Sequence, residues 1–426
     1  MRPAGRAAAA IEVLREIEER HRPASEALKD WGRAHRFAGS GDRAAIGNLV
    51  YDVLRRKALF AHRMEDGSPR SLVLAALRHG RGMEMGAIAA LAEEPHGPGE
   101  LSAAERDRLD HWLADAPSAW IEGNYPEWLA GSFERAFGDE AAEEGAALAE
   151  RAPVDMRANL LKADREKVLA ALQKFGAVAG RWSPWCVRIE APAGDGRSPD
   201  VEAEPAHGKG WFEVQDEGSQ VAAMLAGAAP GMQVMDLCAG AGGKTLAMAA
   251  AMGNKGQIFA TDSDRQRLRP IFDRLKRAGV RNAQVIPADE PKRLEELAGR
   301  MDVVLIDAPC SGSGSWRRRP DAKWRFSPRA LETRLTEQRV VLDRGAPLVK
   351  PGGRLVYVTC SVLPEENGDQ VENFLARHPG FRSIDAMASW TGGDEKPEVS
   401  DGGSLLLTPR RHGTDGFFIA ALKRIA

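Results

Sequence analysis

The chain contains little cysteine, with four residues among 426: Cys186, Cys238, Cys310 and Cys360. No two of them have the CxxC spacing of a zinc site or a redox dithiol. Four scattered thiols also do not form the framework of a disulfide-stapled secreted protein. This scarcity predicts a reduced, cytoplasmic protein that holds no metal. It also makes Cys310 and Cys360 conspicuous, because each follows a predicted strand.

Long apolar runs are absent as well. No segment approaches the roughly 18 apolar residues that a membrane span needs. The alanine-rich stretch over residues 1–20 is interrupted by charges every few positions, so it predicts an amphipathic helix rather than a signal peptide. We therefore expect no membrane partner.

The net charge of −2 is small, but the charges are unevenly distributed. Residues 1–80 carry 15 Lys+Arg against 10 Asp+Glu, whereas residues 81–150 carry 4 basic and 16 acidic residues. A basic face followed by an acidic stretch fits a module that binds nucleic acid. Ordinary solvated helix surfaces would give the same counts, so both interpretations stay open.

Residues 1–145 have helical spacing of apolar residues throughout. The clearest predicted helix covers residues 42–57, with five apolar residues on one face: Ile46, Leu49, Val50, Val53 and Leu54. The basic triplet Arg55, Arg56 and Lys57 is predicted to close this helix, where cations suit the helix dipole. Phosphate binding by the triplet is an equally open alternative.

Two further regions follow. Residues 150–212 predict a small α+β segment, with strands near 155–161 and 185–189 around a helix at 164–175. From residue 213 onward strands and helices alternate, which predicts a parallel sheet of βαβ units. The predicted domains are therefore 1–145, 150–212 and 213–426.

A glycine-rich turn joins a predicted strand, Gln233–Leu237, to a helix that opens at Leu246. It is neither a Walker A loop nor a GxGxxG fingerprint. Small residues at such a turn let backbone N–H groups approach a ligand closely. The turn predicts a nucleotide-like ligand, and its residues are Cys238, Ala239, Gly240, Ala241, Gly242, Gly243 and Lys244.

Two acids end the next two predicted strands. Asp262 follows residues 257–261 and is placed to accept hydrogen bonds from ribose hydroxyls, a spacing shared by dinucleotide and S-adenosylmethionine folds. Asp289 follows the third strand and is placed to meet an adenine amino group. An N-cap before Pro291 is the alternative for Asp289.

The fourth predicted strand leads into Asp307-Ala308-Pro309-Cys310, and a later predicted strand leads into Thr359-Cys360-Ser361. A dehydrogenase has no use for an acid, a proline and a thiol at this place. A methyltransferase that acts on carbon 5 of cytosine does, because this carbon becomes nucleophilic only after a thiolate adds to carbon 6. Such an enzyme needs a nucleophile, a group that polarises the ring and a base that removes the carbon-5 proton.

With these motifs the chain resembles the RsmB-type branch of the Nop2/Sun RNA 5-methylcytosine methyltransferases. The resemblance covers essentially the whole chain and is carried by residues 214–220, 236–245, 307–314, 319–324, 355–367 and 415–418. One departure concerns the first loop, where the family usually has proline after two alanines and this chain has Gly240 and Ala241. The loss of a proline predicts a more flexible loop and slightly weaker cofactor binding.

The resemblance implies a multidomain fold and the roles of individual residues. The fold is an all-α NusB-like N-terminal domain, a small α+β segment like an RNA-recognition motif, and an α/β doubly wound S-adenosylmethionine-dependent methyltransferase domain. Cys360 is the implied nucleophile, Asp307 contacts the cytosine, and Cys310 assists release of the methylated RNA. S-adenosylmethionine is held by residues 238–244 with Asp262 and Asp289, and Asp307 lies at the edge of that site.

A basic loop interleaved with aromatic residues follows the first cysteine motif. It is predicted to bind RNA phosphates and stack a base, with a solvated loop as the alternative, through Arg317, Arg318, Arg319, Lys323 and Trp324. The expected substrate is 16S ribosomal RNA, free or in a precursor of the small ribosomal subunit.

A transfer-RNA cytosine-5 methyltransferase and a non-catalytic RNA-binding ribosome assembly factor are the alternatives. Intact Cys310, Cys360 and Asp307 argue against the second. A DNA cytosine methyltransferase fits less well, because there a Pro-Cys thiol is the nucleophile and no Thr-Cys-Ser thiol is needed.

Overall fold

Two units make up the part of the chain that the computed structural model describes, which is residues 1–111, 117–192, 194, 196–400 and 402–425. The first unit comprises Met1–Arg151, Pro192–Arg197 and Trp316–Phe326. The second comprises Ala152–Ala191, Ser198–Ser315 and Ser327–Ala426.

The first unit is helical, as the apolar spacing predicted. Its α-helices are α1 Pro3–Arg20, α2 Ala24–Ala34, α3 Ser40–Arg55, α4 Lys57–Met64, α5 Pro69–Ala75, α6 Met85–Glu93, α7 Ala103–Asp110, α8 Ala119–Glu122, α9 Ala130–Phe137, α10 Ala141–Ala149 and, from the later segment, α18 Pro320–Arg325. A π-helical turn over Ala76–Gly80 continues α5.

Helix α3 buries the predicted apolar face, since all five of the residues named above are buried. The basic triplet, in contrast, lies across a junction. The helix ends at Arg55, the backbone of Arg56 departs from helical geometry, and Lys57 begins α4. The prediction that the whole triplet closes one helix is therefore correct only for Arg55.

The segment Trp316–Phe326 belongs to the helical unit through side chains that are buried there. Trp316 is 1% exposed and its ring stacks on Phe133, with centroids 6.2 Å apart. A carboxylate oxygen of Asp321 accepts a hydrogen bond from the N–H of Ala24 at 3.3 Å. The predicted helical domain, 1–145, did not include this segment.

The second unit contains a small antiparallel sheet of four strands in the order β2-β3-β1-β4: β1 Val154–Ala158, β2 Val178–Ala179, β3 Cys186–Ile189 and β4 Phe212–Val214. Helices α11 Arg165–Leu172 and α12 Pro205–Gly208 lie between its strands in sequence. Because β4 pairs with β1, the predicted limit between residues 212 and 213 runs through a strand of this sheet.

The same unit contains a large sheet in the order β10-β12-β9-β8-β5-β6-β7, with β11 paired to β12. Its strands are β5 Gln233–Asp236, β6 Gln257–Ala260, β7 Ala283–Val285, β8 Met301–Asp307, β9 Val349–Thr359, β10 Phe381–Ile384, β11 Leu405–Leu407 and β12 Phe417–Arg424. Strands β5 to β9 are parallel, as predicted, whereas β12 runs antiparallel to β9.

The chain order reverses between β5 and β8, and in doubly wound sheets ligands bind outside the carboxyl ends of the strands at such a point. The helices of this unit that follow α12 are α13 Glu217–Leu225, α14 Gly243–Ala251, α15 Arg265–Leu268, α16 Ile271–Ala278, α17 Pro291–Glu295, α19 Pro328–Gly345, α20 Gly368–Arg377 and α21 Pro409–His412. The central strands are buried on both faces, as parallel strands in α/β sheets are. Across the described residues, no helix combines the length and apolar character needed to cross a bilayer.

Candidate functional site

Asp236 ends β5 at the reversal point and is completely buried. Its Oδ2 accepts a hydrogen bond from the Thr245 hydroxyl at 2.6 Å, while its Oδ1 is buried without a partner among the described residues. Burial disfavours the charged form and raises the pKa of Asp236 to about 7. This places one unsatisfied carboxylate oxygen at the base of the glycine-rich loop.

The loop itself is shaped by glycine and held by two contacts. Gly242 has φ of 86°, and a Cβ there would lie 2.5 Å from a side-chain carbon of Ile271, so only glycine fits. The carbonyl oxygen of Ala241 accepts a hydrogen bond from Arg274 at 2.8 Å, and the N–H of Gly240 donates to Asp262 at 2.8 Å. These contacts restrain a loop that the missing proline predicted to be more flexible.

Asp262 lies beside this loop, as predicted, and is 4% exposed. Its Oδ2 receives the Gly240 N–H, and its Oδ1 accepts from the N–H of Asp264 at 2.8 Å. Each carboxylate oxygen has a second lone pair that remains available to a ligand hydroxyl. Asp262 therefore fastens the loop in addition to any role in binding a ribose.

Asp289 occupies a more open position. Its side chain is 65% exposed and lies 3.7 Å from Arg265, a surface ion pair of the kind that contributes little stability. The N-cap position of α17 is Glu290, and no side chain caps that helix. The N-cap alternative for Asp289 is therefore wrong.

Lys244 and Asp307 form an ion pair that the sequence did not predict. The ammonium nitrogen of Lys244 lies 2.7 Å from Oδ2 of Asp307 and 5.2 Å from the ring centroid of Phe417. The Lys244 side chain is only 8% exposed, and the carboxylate of Asp307 balances its charge. Within the described residues, Oδ1 of Asp307 makes no hydrogen bond and is available to a substrate.

The two predicted catalytic thiols meet at this edge. The sulfur atoms of Cys310 and Cys360 are 3.4 Å apart, because β8 and β9 are parallel neighbours whose carboxyl ends align at Asp307 and Val358. The hydrogen bond with the Cys360 sulfur, followed by burial, raises the pKa of Cys310 well above its ordinary value. Cys310 therefore holds its proton more tightly than a free thiol does, and the geometry of the contact lets either sulfur be the donor.

Glu366 ties the first cysteine loop to the second. It accepts hydrogen bonds from both the N–H and the hydroxyl of Ser311, the first at 2.8 Å, and from the side-chain amide of Gln338 at 3.0 Å. Gln338 also donates to the carbonyl of Pro309 at 2.9 Å. Burial raises the pKa of Glu366, while these hydrogen bonds oppose the shift.

Hydroxyl groups complete the link between the loops. The hydroxyls of Ser313 and Ser361 are 2.9 Å apart, and the Ser313 hydroxyl also accepts the N–H of Val362 at 2.9 Å. The side chain of Asn367 donates to the Ser361 carbonyl at 3.0 Å and accepts from Thr359 at 2.6 Å. Buried networks of this kind are rigid when they are satisfied, so the two sulfur atoms are held in register.

The other two cysteines lie outside the thiol pair. Cys238 begins the glycine-rich loop, and burial raises its pKa. Cys186 is completely buried in β3 of the small sheet, where burial also raises its pKa. Both are free thiols.

The predicted RNA-binding residues at 317–324 lie in the helical unit, and the structure corrects part of that prediction. Lys323 is 1% exposed and its ammonium donates to the carbonyl of Arg55 at 2.9 Å, so it does not face solvent. The indole N–H of Trp324 donates to the carbonyl of Leu54 at 2.6 Å, and Arg317 is buried. Only Arg318 and Arg319 are exposed in the way that phosphate binding requires.

A doubly wound sheet with a glycine-rich first loop, an acid after the second strand and two thiols beyond β8 and β9 defines a class, the Rossmann-like methyltransferases. The comparisons give the family. Residues 223–423 match the family described as "16S rRNA methyltransferase RsmB/F", and residues 125–194 match the ferredoxin-like domain of the same proteins. The chain belongs to the RsmB/F methyltransferase family.

Two relatives illustrate this similarity. The chain is 34% identical over 307 residues to the probable ribosomal RNA small subunit methyltransferase B of Synechocystis sp., a match that covers 71% of this chain and 67% of the relative. It is 35% identical over 302 residues to ribosomal RNA small subunit methyltransferase B of Salmonella heidelberg, which covers 70% and 66%. The matched region thus spans about two thirds of these relatives.

Solved structures share the fold. The crystal structure of PH0851 covers 100% of this chain and 99% of its own, with a TM-score of 0.74 and 27% identity. NSun6 from Pyrococcus horikoshii, solved with SFG, covers 71% of this chain and 98% of its own, with a TM-score of 0.62 and 23% identity. The second likeness supports the fold alone.

Proposed function

We propose that this protein methylates carbon 5 of a cytosine in RNA, with 16S ribosomal RNA as the substrate and S-adenosylmethionine as the methyl donor. The observation that carries the proposal is the pair of sulfur atoms 3.4 Å apart beside the glycine-rich loop. Family membership supports ribosomal RNA as the substrate class. We expect such an enzyme to act in the cytoplasm, where ribosomal subunits are assembled.

The residues around the first loop fit the methyl donor. Asp262 retains acceptor capacity for ribose hydroxyls, and the buried Oδ1 of Asp236 lacks a partner where the loop begins. The backbone around Gly240 leaves room for close approach, because the nearest atoms that a Cβ would meet lie 3.8 Å away or more. S-adenosylmethionine, when bound, supplies an electrophilic methyl group. Asp289 is proposed to contact the adenine from its exposed position.

Cys360 is proposed as the nucleophile. Its thiolate adds to carbon 6 of the cytosine, and the displaced electron pair makes carbon 5 nucleophilic. Asp307 accepts a hydrogen bond from the exocyclic amino group through Oδ1, while Lys244 holds the other oxygen. This contact orients the base and favours charge displacement within the ring.

Cys310 is proposed to act in the second half of the reaction. Once the sulfur of Cys360 is bonded to carbon 6, the hydrogen bond that raises the pKa of Cys310 is lost. Cys310 then releases its proton to solvent more readily and becomes a base for the carbon-5 proton. Removal of that proton breaks the bond from Cys360 to carbon 6, frees the methylated RNA and restores the original thiol pair.

The RNA surface is proposed to include Arg318 and Arg319, which are exposed. It excludes Lys323, because a buried ammonium that already has a carbonyl partner cannot reach a phosphate without leaving its site. The basic character of residues 1–80 is expected to supply further phosphate contacts.

Bisulfite mapping tests the proposal. Ribosomal and transfer RNA from cells with and without the protein should differ at a cytosine of 16S ribosomal RNA. A Cys360→Ala variant should fail to restore that signal, whereas Cys186→Ala, which removes a thiol from the small sheet, should restore it. A signal lost only from transfer RNA would favour the transfer-RNA alternative, and no difference in either RNA would favour a non-catalytic factor.

A further inference from the structure

A pocket of about 440 Å³ opens in the helical unit, whereas the thiol pair belongs to the other unit. Its charged lining comes from the end of α3, the junction before α4, the residue after the π-helical turn and the chain that follows α10. The charged residues are Asp52, Arg55, Arg56, Arg81, Glu150 and Arg151. We call this the arginine pocket.

The pocket carries more positive than negative charge. Arg81 pairs with Asp52 at 2.8 Å, and Arg56 pairs with Glu150 at 3.1 Å. Among the described residues, Arg55 makes no ion pair. Arg151 likewise has only neutral partners there, such as the side-chain oxygen of Asn48 at 3.0 Å. Four guanidinium groups thus face two carboxylates.

Arg55 contributes most clearly to the excess of positive charge. Its Nη2 donates to the carbonyl of Arg317 at 3.2 Å, but its Nε and Nη1 are buried without a partner among the described residues. Burial lowers the pKa of Arg55, and the charge of Arg151 lowers it further. A buried guanidinium with two unused donors is costly, and an anion nearby lowers that cost by balancing its charge.

The charge and number of the donors indicate the ligand class. The four guanidinium groups of the pocket offer N–H donors from different parts of the lining, which suits an anion with several oxygens that can meet more than one donor. A tetrahedral phosphate has this property, and arginine is preferred for phosphate recognition. A volume of 440 Å³ exceeds one phosphate and admits a nucleotide unit of a longer chain.

We propose that the arginine pocket binds a backbone phosphate of the substrate RNA. This inference rests on the proposed function, because it takes the RNA of the methylation reaction as the source of the phosphate. Phosphate contacts position a nucleic acid without reading its sequence. The pocket therefore fixes the register of the RNA and leaves the choice of cytosine to other contacts.

RNA binding by the full-length protein, measured without methyl donor over a range of salt concentrations, tests the proposal. Arg55→Gln and Arg56→Gln should each weaken binding about tenfold and reduce the salt slope by about 0.7–0.9. Arg33→Gln, which alters an exposed arginine of the same unit that also has an acidic neighbour, should bind like the unaltered protein.

Glu150→Gln provides a test in the opposite direction. It removes a negative charge that competes for Arg56, so RNA should bind a few-fold more tightly, an effect that misfolding cannot imitate. Failure of Glu150→Gln to tighten binding, or equal RNA affinities for Arg55→Gln, Arg56→Gln and Arg33→Gln, would overturn the proposal.

The source of the phosphate is tested by competition at constant ionic strength. RNA should displace a fluorescent nucleoside monophosphate from the unaltered protein but not from Arg55→Gln. If inorganic phosphate or a mononucleotide binds in an Arg55-dependent way while RNA affinity is unaffected by Arg55→Gln, the pocket serves a free anion. If poly-glutamate competes as strongly as RNA, it serves an acidic protein segment. Because these readouts need no methylation, they succeed or fail independently of the bisulfite result.

Discussion

The sulfur atoms of Cys310 and Cys360 are in contact, yet their surroundings differ. Both side chains are partly exposed, but the charge of the neighbouring Glu366 adds to the causes that raise the pKa of Cys310. A thiol that keeps its proton is a poor nucleophile, because the thiolate is the attacking species. This asymmetry favours Cys360 for the first step and Cys310 for the last.

Removal of each thiol should therefore give a different product. Cys360→Ala should abolish both methylation and any covalent complex with RNA. Cys310→Ala should still attack and methylate, then stall as a protein–RNA adduct that survives SDS, with the flipped base held in the pocket. Gel electrophoresis with labelled RNA measures both outcomes, and Cys186→Ala is the control. If Cys360→Ala traps RNA and Cys310→Ala does not, the two roles are exchanged.

The buried carboxyl group of Asp236 leads to a separate prediction about how stability depends on pH. Its pKa of about 7 in the folded state lies above the ordinary value of 3.8, so its contribution to stability is present below about pH 4 and is lost as the pH rises through 7. Asp236→Asn does not titrate. The stability of this variant relative to the unaltered protein should therefore rise by about 2–3 kcal/mol between about pH 5 and about pH 8.

Denaturant unfolding at the two pH values measures this difference. The exposed residue Asp139 provides the matched control, because Asp139→Asn should show little change in relative stability over the same range. A relative stability of Asp236→Asn that does not depend on pH would show that the buried carboxyl group is not the source of the shift.

At the scale of elements, the strands that carry the site were predictable. Strands β5, β6 and β8 are short, largely apolar runs. Strand β5 ends at Asp236, β6 ends shortly before Asp262, and β8 ends at Asp307. A local pattern of apolar residues followed by a polar one defines both the strand and the place of its side chain. The meeting of these strand ends then follows from parallel pairing alone.

The contacts that hold the thiols were not predictable from local pattern. Gln338 lies in the middle of α19, and its role depends on Glu366 and Pro309, which are distant in sequence. Nothing in the sequence around Gln338 distinguishes it from a solvated helix position. The same limit explains Lys323, whose basic, aromatic surroundings predicted an exposed loop although its carbonyl partner belongs to α3.

Glycine at position 314 connects the first cysteine loop to the end of the chain. Its N–H donates to the carbonyl of Cys360 at 3.0 Å, and its carbonyl accepts the N–H of Gly416 at 2.8 Å. A Cβ at residue 314 would lie 2.2 Å from the Gly416 oxygen, so the two backbones could no longer approach. The Asp415-Gly416-Phe417 segment thus supports the site through backbone contacts.

Gly314→Ala should consequently lower the free energy of unfolding by about 1–3 kcal/mol, the usual cost of overpacking, and slow methylation by displacing the Cys360 loop. Gly368→Ala is the matched control, because no atom lies within 4 Å of its added Cβ. Unfolding curves and initial rates measure the two effects. Equal rates and stabilities for both variants would mean that the backbone contact at 314 does not support the thiols.

At the scale of the whole molecule, the chain does not divide into consecutive blocks. After the first cysteine loop it contributes Trp316–Phe326 to the helical unit and then resumes the methyltransferase unit at Ser327. This segment begins at Trp316, six residues after Cys310 in the sequence. The helical unit is therefore completed by a segment that is encoded next to the first cysteine motif.

Deletion of residues 1–145 should for this reason do more than remove basic side chains. It would strip Trp316 of the packing that leaves it 1% exposed and remove the carbonyl partners of Lys323 and Trp324. The exposed aromatic surface alone costs about 1.5–3 kcal/mol per side chain. The truncated protein should unfold at a lower temperature and bind a hydrophobic dye.

Co-expression of residues 1–151 as a separate chain should reverse both effects, because the separate helices again cover the Trp316–Phe326 segment. A co-expressed fragment that carries Phe133→Ala should restore them less well, since the Phe133 ring stacks on Trp316. If the truncated protein instead unfolds at the original temperature and binds no dye, residues 316–326 are stable without the helices, and the helical unit is an independent attachment after all.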